Sequence, residues 1–191
     1  MKIISGKLKG HKFKTKENSS YRPITGRIKE ALFSVLSSGQ FIDSETNKSV
    51  LEDATIIDVF GGAGAITFEA FSRGVTKGVI IEKDADSFAS LQQNTKALGL
   101  VGSLEVIRGD ATNLPPAICG CSIAFIDPPF KEGLVERSVE SLVKKKWLTE
   151  DAILVVRTHY TENFNIDKFA EEVFSRKYNN SLLKIFRLRE L

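Results

Sequence analysis

Apolar residues change their spacing along the chain, and each change marks a different kind of element. Residues 2–14 carry short apolar pieces, Ile3-Ile4 and Phe13, separated by Gly6 and Gly10 with lysines between them. This pattern predicts a small β-hairpin edged with basic side chains. Further on, Ile28, Ala31, Leu32, Val35 and Leu36 recur at i, i+3, i+4, i+7 and i+8 behind Thr25. That spacing predicts a helix with Thr25 as its N-cap, ending near Ser37-Ser38-Gly39. The polar stretch from about Gln40 to Asp53 reads as a mobile loop.

From Ala54 onward, short β-branched runs alternate with segments of helical period. Ile56-Ile57-Asp58-Val59-Phe60 reads as a strand, Gly61 to Gly64 as a turn, and Ala65–Arg73 as a helix stopped by Gly74. Strand Gly78–Glu82, helix Ala85–Leu98, strands Leu104–Ile107 and Ser122–Ile126, helix Leu134–Lys146 and strand Ala152–Val156 follow. Glu172–Tyr178 and Leu182–Leu188 can pair as an antiparallel hairpin around Asn179-Asn180. Strands separated by helices imply an α/β fold, a mostly parallel sheet with helices on both faces. The expected organisation is a basic N-terminal extension, residues 1–38, packed on an α/β domain, residues 54–191.

Composition changes this picture little. With 191 residues, 42% of them hydrophobic and 27% charged, the chain suits one large domain with an ordinary core. No apolar run approaches the ~18 residues of a membrane span, and the N-terminus lacks the apolar region of a signal peptide. A cytoplasmic enzyme is therefore expected; a monomer without a metal is a separate expectation, which composition does not decide. Cys119 and Cys121 have no clustered Cys or His to complete a zinc site and read as reduced thiols. His11 and His159 show no partner, and Trp147 reads as a packing anchor.

Charge adds more. Residues 1–37 hold nine Lys and Arg against two Glu, a net of +7 that leaves −4 for the remainder. A basic arm on a mildly acidic body suits a polyphosphate backbone, although a solvated Lys-rich face has the same composition.

Ligands of such sheets lie beyond the carboxyl ends of the strands, so acidic and glycine residues there carry the chemistry. Asp58 precedes a turn in which Gly62 and Gly64 let the backbone approach a ligand closely. Glu82 falls twenty residues after Gly62, the spacing of a carboxylate that accepts from both hydroxyls of a ribose. Asp110, between Gly109 and Ala111, can accept from an adenine amino group. Phe60, Lys83 and Ala111 flank these positions and complete the expected cofactor-binding set. Together they predict a cofactor containing adenosine. A dinucleotide site would place a third glycine where Thr67 stands, so that a helix N-terminus could meet a pyrophosphate. Asp58 instead suits a cationic group, such as the ammonium of S-adenosylmethionine.

The fourth apolar run is followed by Asp127-Pro128-Pro129-Phe130. An exocyclic amino nitrogen on a purine is a poor nucleophile because its lone pair is delocalised into the ring. The Asp127 carboxylate and the Pro128 carbonyl can each accept one N–H, turning that lone pair toward a methyl donor. Two prolines fix φ near −65° and remove competing backbone donors. Phe130 supplies a face on which an extruded base can stack. The same four residues could also be no more than an Asp-Pro turn with a buried Phe.

These residues resemble the bacterial 16S ribosomal RNA guanine-N2 methyltransferases of the RsmD type over nearly the whole chain. The likeness runs through Ile3-Ile4-Ser5-Gly6, Lys9-Gly10, Arg22-Pro23 with Thr25, Arg27 and Glu30-Ala31-Leu32-Phe33. It continues through Asp58 to Gly64, Glu69-Ala70, Ser72-Arg73-Gly74, Glu82, Asp110, Asp127 to Phe130 and Gly133-Leu134. The resemblance implies a seven-stranded, Rossmann-like class I methyltransferase sheet and methyl transfer from S-adenosylmethionine to N2 of one guanine in the small subunit. It also places Arg22, Thr25 and Arg27 near the cofactor and the flipped guanine, while Lys7, Lys9 and Lys12 are expected on RNA from the charge of the basic arm. Two positions depart from the family pattern. The turn reads Gly-Gly-Ala-Gly for the usual Ala-Gly-Ser-Gly, and strand five ends in Val156-Arg157 where a Glu is common. Two other readings use the same residues: methylation of adenine N6 or of a protein glutamine amide, and a non-catalytic RNA-binding protein on this scaffold.

Overall fold

In the computed structural model, residues 1–15 and 24–190 are described. Strand β1 (Thr55–Asp58) is short and apolar because it runs between two parallel neighbours, with packed layers on both faces. Around it lie α2 (Ala65–Ser72), β2 (Lys77–Glu82), α3 (Ala85–Ala97), β3 (Leu104–Arg108), β4 (Cys121–Ile126), α4 (Val135–Lys144) and β5 (Leu148–His159). The chain closes with β6 (Ala170–Tyr178) and β7 (Ser181–Leu188), and α1 (Gly26–Leu36) precedes them all. The sheet has seven strands in the order β3-β2-β1-β4-β5-β7-β6. β1 to β5 pair in parallel, whereas β7 is antiparallel to both β5 and β6.

Strand alternation sorts the core into two layers. Ile56, Ile80, Ile123 and Phe125 face a layer that includes Leu32 and Phe33 of α1, Phe68 and Phe71 of α2, and Leu91 of α3. Ile57, Ile81, Ala124 and Ile126 face the other, with Val135, Val139 and Leu142 of α4 and with Trp147. Trp147 is fully buried and donates its Nε1–H to the Pro115 carbonyl at 2.9 Å, as a packing anchor should. Strand order reverses between β1 and β4, so their following loops diverge and leave a crevice at the carboxyl edge.

Three regions differ from expectation. The N-terminal ribbon pairs across itself only near its ends, by the Lys2–Lys12 bridge and the bonds from Ile3 to His11, Gly10 to Ile3 and Phe13 to Met1, because the donors of Ile4, Ser5, Lys7 and Leu8 turn to α2. The stretch after α1 is anchored, not loose: Phe41 and Leu51 are buried, and Ile42 bridges Ser49. β5 is longer than its apolar run, starting in the exposed Thr149-Glu150-Asp151 and ending at His159 beyond Arg157. Pairing with β7 recruits Arg157, Thr158 and His159, and Leu148 pairs with Cys121 of β4 across an irregularity that takes in Thr149 to Asp151, residues that an apolar-run criterion passes over. Among the described residues, no helix is long and apolar enough to cross a membrane.

Candidate active site

The turn after β1 is built from backbone constraint. Gly62 and Gly64 both have positive φ, 51° and 76°, and a Cβ at Gly64 would lie 2.4 Å from the Phe68 ring. Asp58 closes the turn from below: its Oδ1 accepts from the Phe60 N–H at 3.3 Å and its Oδ2 from the Thr67 hydroxyl at 2.8 Å. Thr67 was not among the expected site residues, and its hydroxyl now explains why no third glycine stands there. Burial pushes the Asp58 carboxyl up to about 7; the Thr67 bond opposes this and the neighbouring Asp127 charge adds to it.

Glu82, at the end of β2, holds the same turn from above. Its Oε2 accepts from the Gly62 N–H and its Oε1 from the Asp84 N–H, each at 2.7 Å. The expected twenty-residue spacing thus appears as a direct contact, with lone pairs left on both oxygens. At the end of β3, Asp110 accepts from Lys83 Nζ at 2.8 Å and from the Thr112 N–H and hydroxyl. These donors, Lys83 first, hold the Asp110 carboxyl down at about 2.

A cavity of about 590 Å³ opens between these strand ends. Of the expected residues, Phe60, Gly62, Glu82, Lys83, Asp110, Ala111, Asp127 and Pro129 line it. Asp58 and Gly64 lie behind the turn, and Pro128 and Phe130 also stay off the wall. Thr25 does not reach the wall either, since its hydroxyl caps α1 by accepting from the Ile28 N–H. Ser87, Thr112, Glu132 and Arg137 join the lining without having stood out in the sequence, because their positions in loops and on helices carry no periodic mark.

Asp127 is only 1% exposed and is gripped by Arg157 from the neighbouring strand. Arg157 Nε donates to Oδ1 at 2.7 Å and its terminal nitrogen to Oδ2 at 2.8 Å, a bidentate pair between two buried side chains. The same guanidinium sits 5.2 Å from the Phe130 ring centre. The departure from the family pattern at position 157 is therefore the residue that fixes the tetrapeptide.

The N-terminal extension docks on α2 through Glu69 and Ser72. Glu69, fully buried, accepts from the Ile4 and Ser5 N–H groups, from Lys29 Nζ at 3.0 Å and from Arg73. Lys29 thus neutralises a buried acid and does not face solvent. Farther along, Lys14 exchanges backbone bonds with the Asn94 side chain on α3. Lys7, Lys9, Lys12 and Arg27 are exposed, and Arg22 lies outside the described residues. Cys119 and Cys121 are free thiols with burial raising the Cys121 pKa, and no group of metal-capable ligands occurs among the described residues.

Several solved structures that share this architecture are described as methyltransferases. The Escherichia coli protein yhhF, provisionally described as one, superposes with a TM-score of 0.81 at 25% identity over 100% of this chain and 99% of its own. An RNA methyltransferase from Salinibacter ruber in complex with S-adenosyl-L-homocysteine shares the fold at 14% identity, with a TM-score of 0.65 over 89% and 95% of the two chains. The chain has the class I methyltransferase fold, whose cofactor is S-adenosylmethionine. Its sequence matches the family described as conserved hypothetical protein 95 over residues 1–187. It is 31% identical over 159 residues to the ribosomal RNA small subunit methyltransferase D of Escherichia coli strain K12, covering 83% of this chain and 74% of that one. A methylase of Rickettsia prowazekii without an assigned role is 29% identical over 98% of this chain and 97% of its own. The chain belongs to this RsmD-type family of methyltransferases.

The residues present fit such a cofactor. The cavity has the volume of a drug-sized ligand site, apolar walls at Ile81 and Leu134, and carboxylates at Glu82 and Asp110 for hydroxyl and amino donors.

Proposed function

We propose that the protein methylates the exocyclic N2 of one guanine in 16S ribosomal RNA of the small ribosomal subunit. The observation that carries this reading is Asp127, buried beside the cavity at the end of β4 and held at both oxygens by Arg157. The relative from Escherichia coli supports ribosomal RNA as the substrate by its name, and the basic face of Lys7, Lys9 and Lys12 suits a phosphate backbone.

S-adenosylmethionine, when bound, supplies an electrophilic methyl group on a sulfonium. Glu82 and Asp110 would hold its ribose and adenine, and the Gly62 backbone allows close approach. Both oxygens of Asp127 accept from Arg157, and a carboxylate has about four lone-pair sites in all. In the proposed complex Asp127 accepts one N–H of the guanine amino group, and the Pro128 carbonyl accepts the other. The nitrogen lone pair is thereby turned toward the methyl donor, which is positioning together with stabilisation of the positive charge that develops on nitrogen. Asp127 acts as an acceptor; the proton leaves afterwards, because an alkylated anilinium-like nitrogen is acidic.

Asp127→Ala and the near-isosteric Asp127→Asn are expected to lower methylation of small-subunit particles by at least about a hundredfold. Cofactor affinity by calorimetry should change little. Normal turnover in either variant would overturn the role. Mass analysis of the product nucleosides should give N2-methylguanosine, and a methyl group on adenine N6 would replace the N2 reading.

A further inference from the structure

Beyond the tetrapeptide, a run of rings leads away from the site along the carboxyl edge of the sheet. Phe130 meets His159 edge-on at 5.7 Å, and His159 meets Tyr160 at 4.8 Å with the planes tilted by 36°. Lys177 Nζ sits over the Tyr160 ring, 3.5 Å from its centre. These residues come together because β5 ends at His159, pairing with Ser181, and the β6–β7 turn at Asn179-Asn180 returns to the same edge. A bond from the Tyr160 N–H to the Asn180 carbonyl at 3.1 Å ties the two segments. His159 is oriented by Thr161, whose Oγ1 lies 2.7 Å from Nδ1.

Core packing does not account for Tyr160. It is 43% exposed and is the one exposed ring of Phe, Tyr or Trp among the described residues. An exposed aromatic next to a lysine, in line with a buried acceptor for an amino group, is the arrangement that proteins use to hold unpaired nucleotides.

We infer that His159, Tyr160 and Lys177 form a platform for the nucleotide adjacent to the target base, so that the protein takes its target from unpaired RNA. The inference rests on the function proposed above. Phe130 borders the target base, the neighbouring base stacks on Tyr160, and Lys177 moves from the ring to the phosphate between them. A cation resting on an aromatic face in the free protein is easily exchanged for a base, since at an exposed site that contact is weak.

The test uses the full chain with small ribosomal subunits and S-adenosylmethionine. Tyr160→Ala should raise KM for the particle by about tenfold or more, the range of one base stack, with kcat at saturation and cofactor affinity little changed. Tyr160→Phe keeps the ring and should keep the KM. Lys177→Ala should raise KM by a smaller factor that disappears at high salt. If Tyr160→Ala lowers the melting temperature while KM stays at the wild-type value, the ring only packs and the platform is wrong. If the wild-type protein methylates no ribosomal RNA, the underlying function has failed and the platform with it. Wild-type turnover with no KM effect at Tyr160 removes the platform alone.

Discussion

Thr67 stands where a dinucleotide site would need a glycine, and its hydroxyl instead donates to Asp58. The carboxyl so held has a pKa near 7 in the folded protein against an ordinary 3.8. Below pH 3.8 the folded and unfolded chains both carry this proton; between 3.8 and 7 only the folded chain does. Stability from this group therefore falls as pH rises through that window and is lost by about pH 7. A cationic ligand nearby favours the carboxylate, so S-adenosylmethionine binding should release protons, approaching about one per site at pH 6 and fading toward pH 8. Calorimetry in buffers of different ionisation enthalpy measures this; an equal release in Asp58→Asn would assign it elsewhere. Arg157 makes a second prediction. Removing the guanidinium from a pair with both side chains buried, as in Arg157→Ala, should cost about 3 kcal/mol or more in urea unfolding and lower kcat as well. Arg157→Lys should recover part of each, because an ammonium replaces the charge but not the bidentate geometry. Unchanged kcat in a folded Arg157→Ala protein would separate the pair from catalysis.

The N-terminal extension shows why an element can be named from its pattern while its docking partner is not. Its Lys- and Gly-rich ribbon predicts the cross-strand pairing seen at Lys2 and Lys12, but not that Glu69 and Ser72 of α2 take the donors of Ile4, Ser5, Lys7 and Leu8. Gly6 makes this possible: its φ is 79°, and a Cβ there would lie 1.8 Å from the Ser72 carbonyl oxygen. Gly6→Ala should therefore release the extension while leaving the sheet folded, seen as faster proteolytic cleavage within residues 1–15. Glu69→Ala takes the acid from the buried Lys29 and should destabilise the protein by about 3–5 kcal/mol in denaturant unfolding. A loss below about 1 kcal/mol would mean that water reaches Lys29 without it. The Glu69, Ser72 and Arg73 motif was legible as a string, but its partners Lys29, Ile4, Ser5 and Leu8 lie forty or more residues earlier in the chain.

Across the whole molecule, charge and site share an organisation that the net charge of +3 conceals. Docking through Glu69 puts Lys7, Lys9 and Lys12 on the surface, while Lys29 is consumed internally. Replacing the three exposed lysines together should weaken binding to small-subunit particles and reduce the slope of log K against log salt by about 2–3. An unchanged slope would make them a solvated face. Methyl transfer at saturating particle should persist, because none of the three lines the cavity.

Periodicity alone determined the α/β alternation, the Thr25 cap, the C-terminal hairpin and the acidic strand ends, since each depends on residues close together in the chain or on a repeat of fixed spacing. The edge at which those strand ends meet also follows, because parallel strands separated by helices all present their carboxyl ends on one side. Only the tertiary structure decided that Arg157 clamps Asp127, that Thr67 holds Asp58, that Glu69 gathers the extension and that Tyr160 stands in line with Phe130. These are contacts between side chains from different strands and helices. Their partners are chosen by strand order and register, which no local pattern encodes.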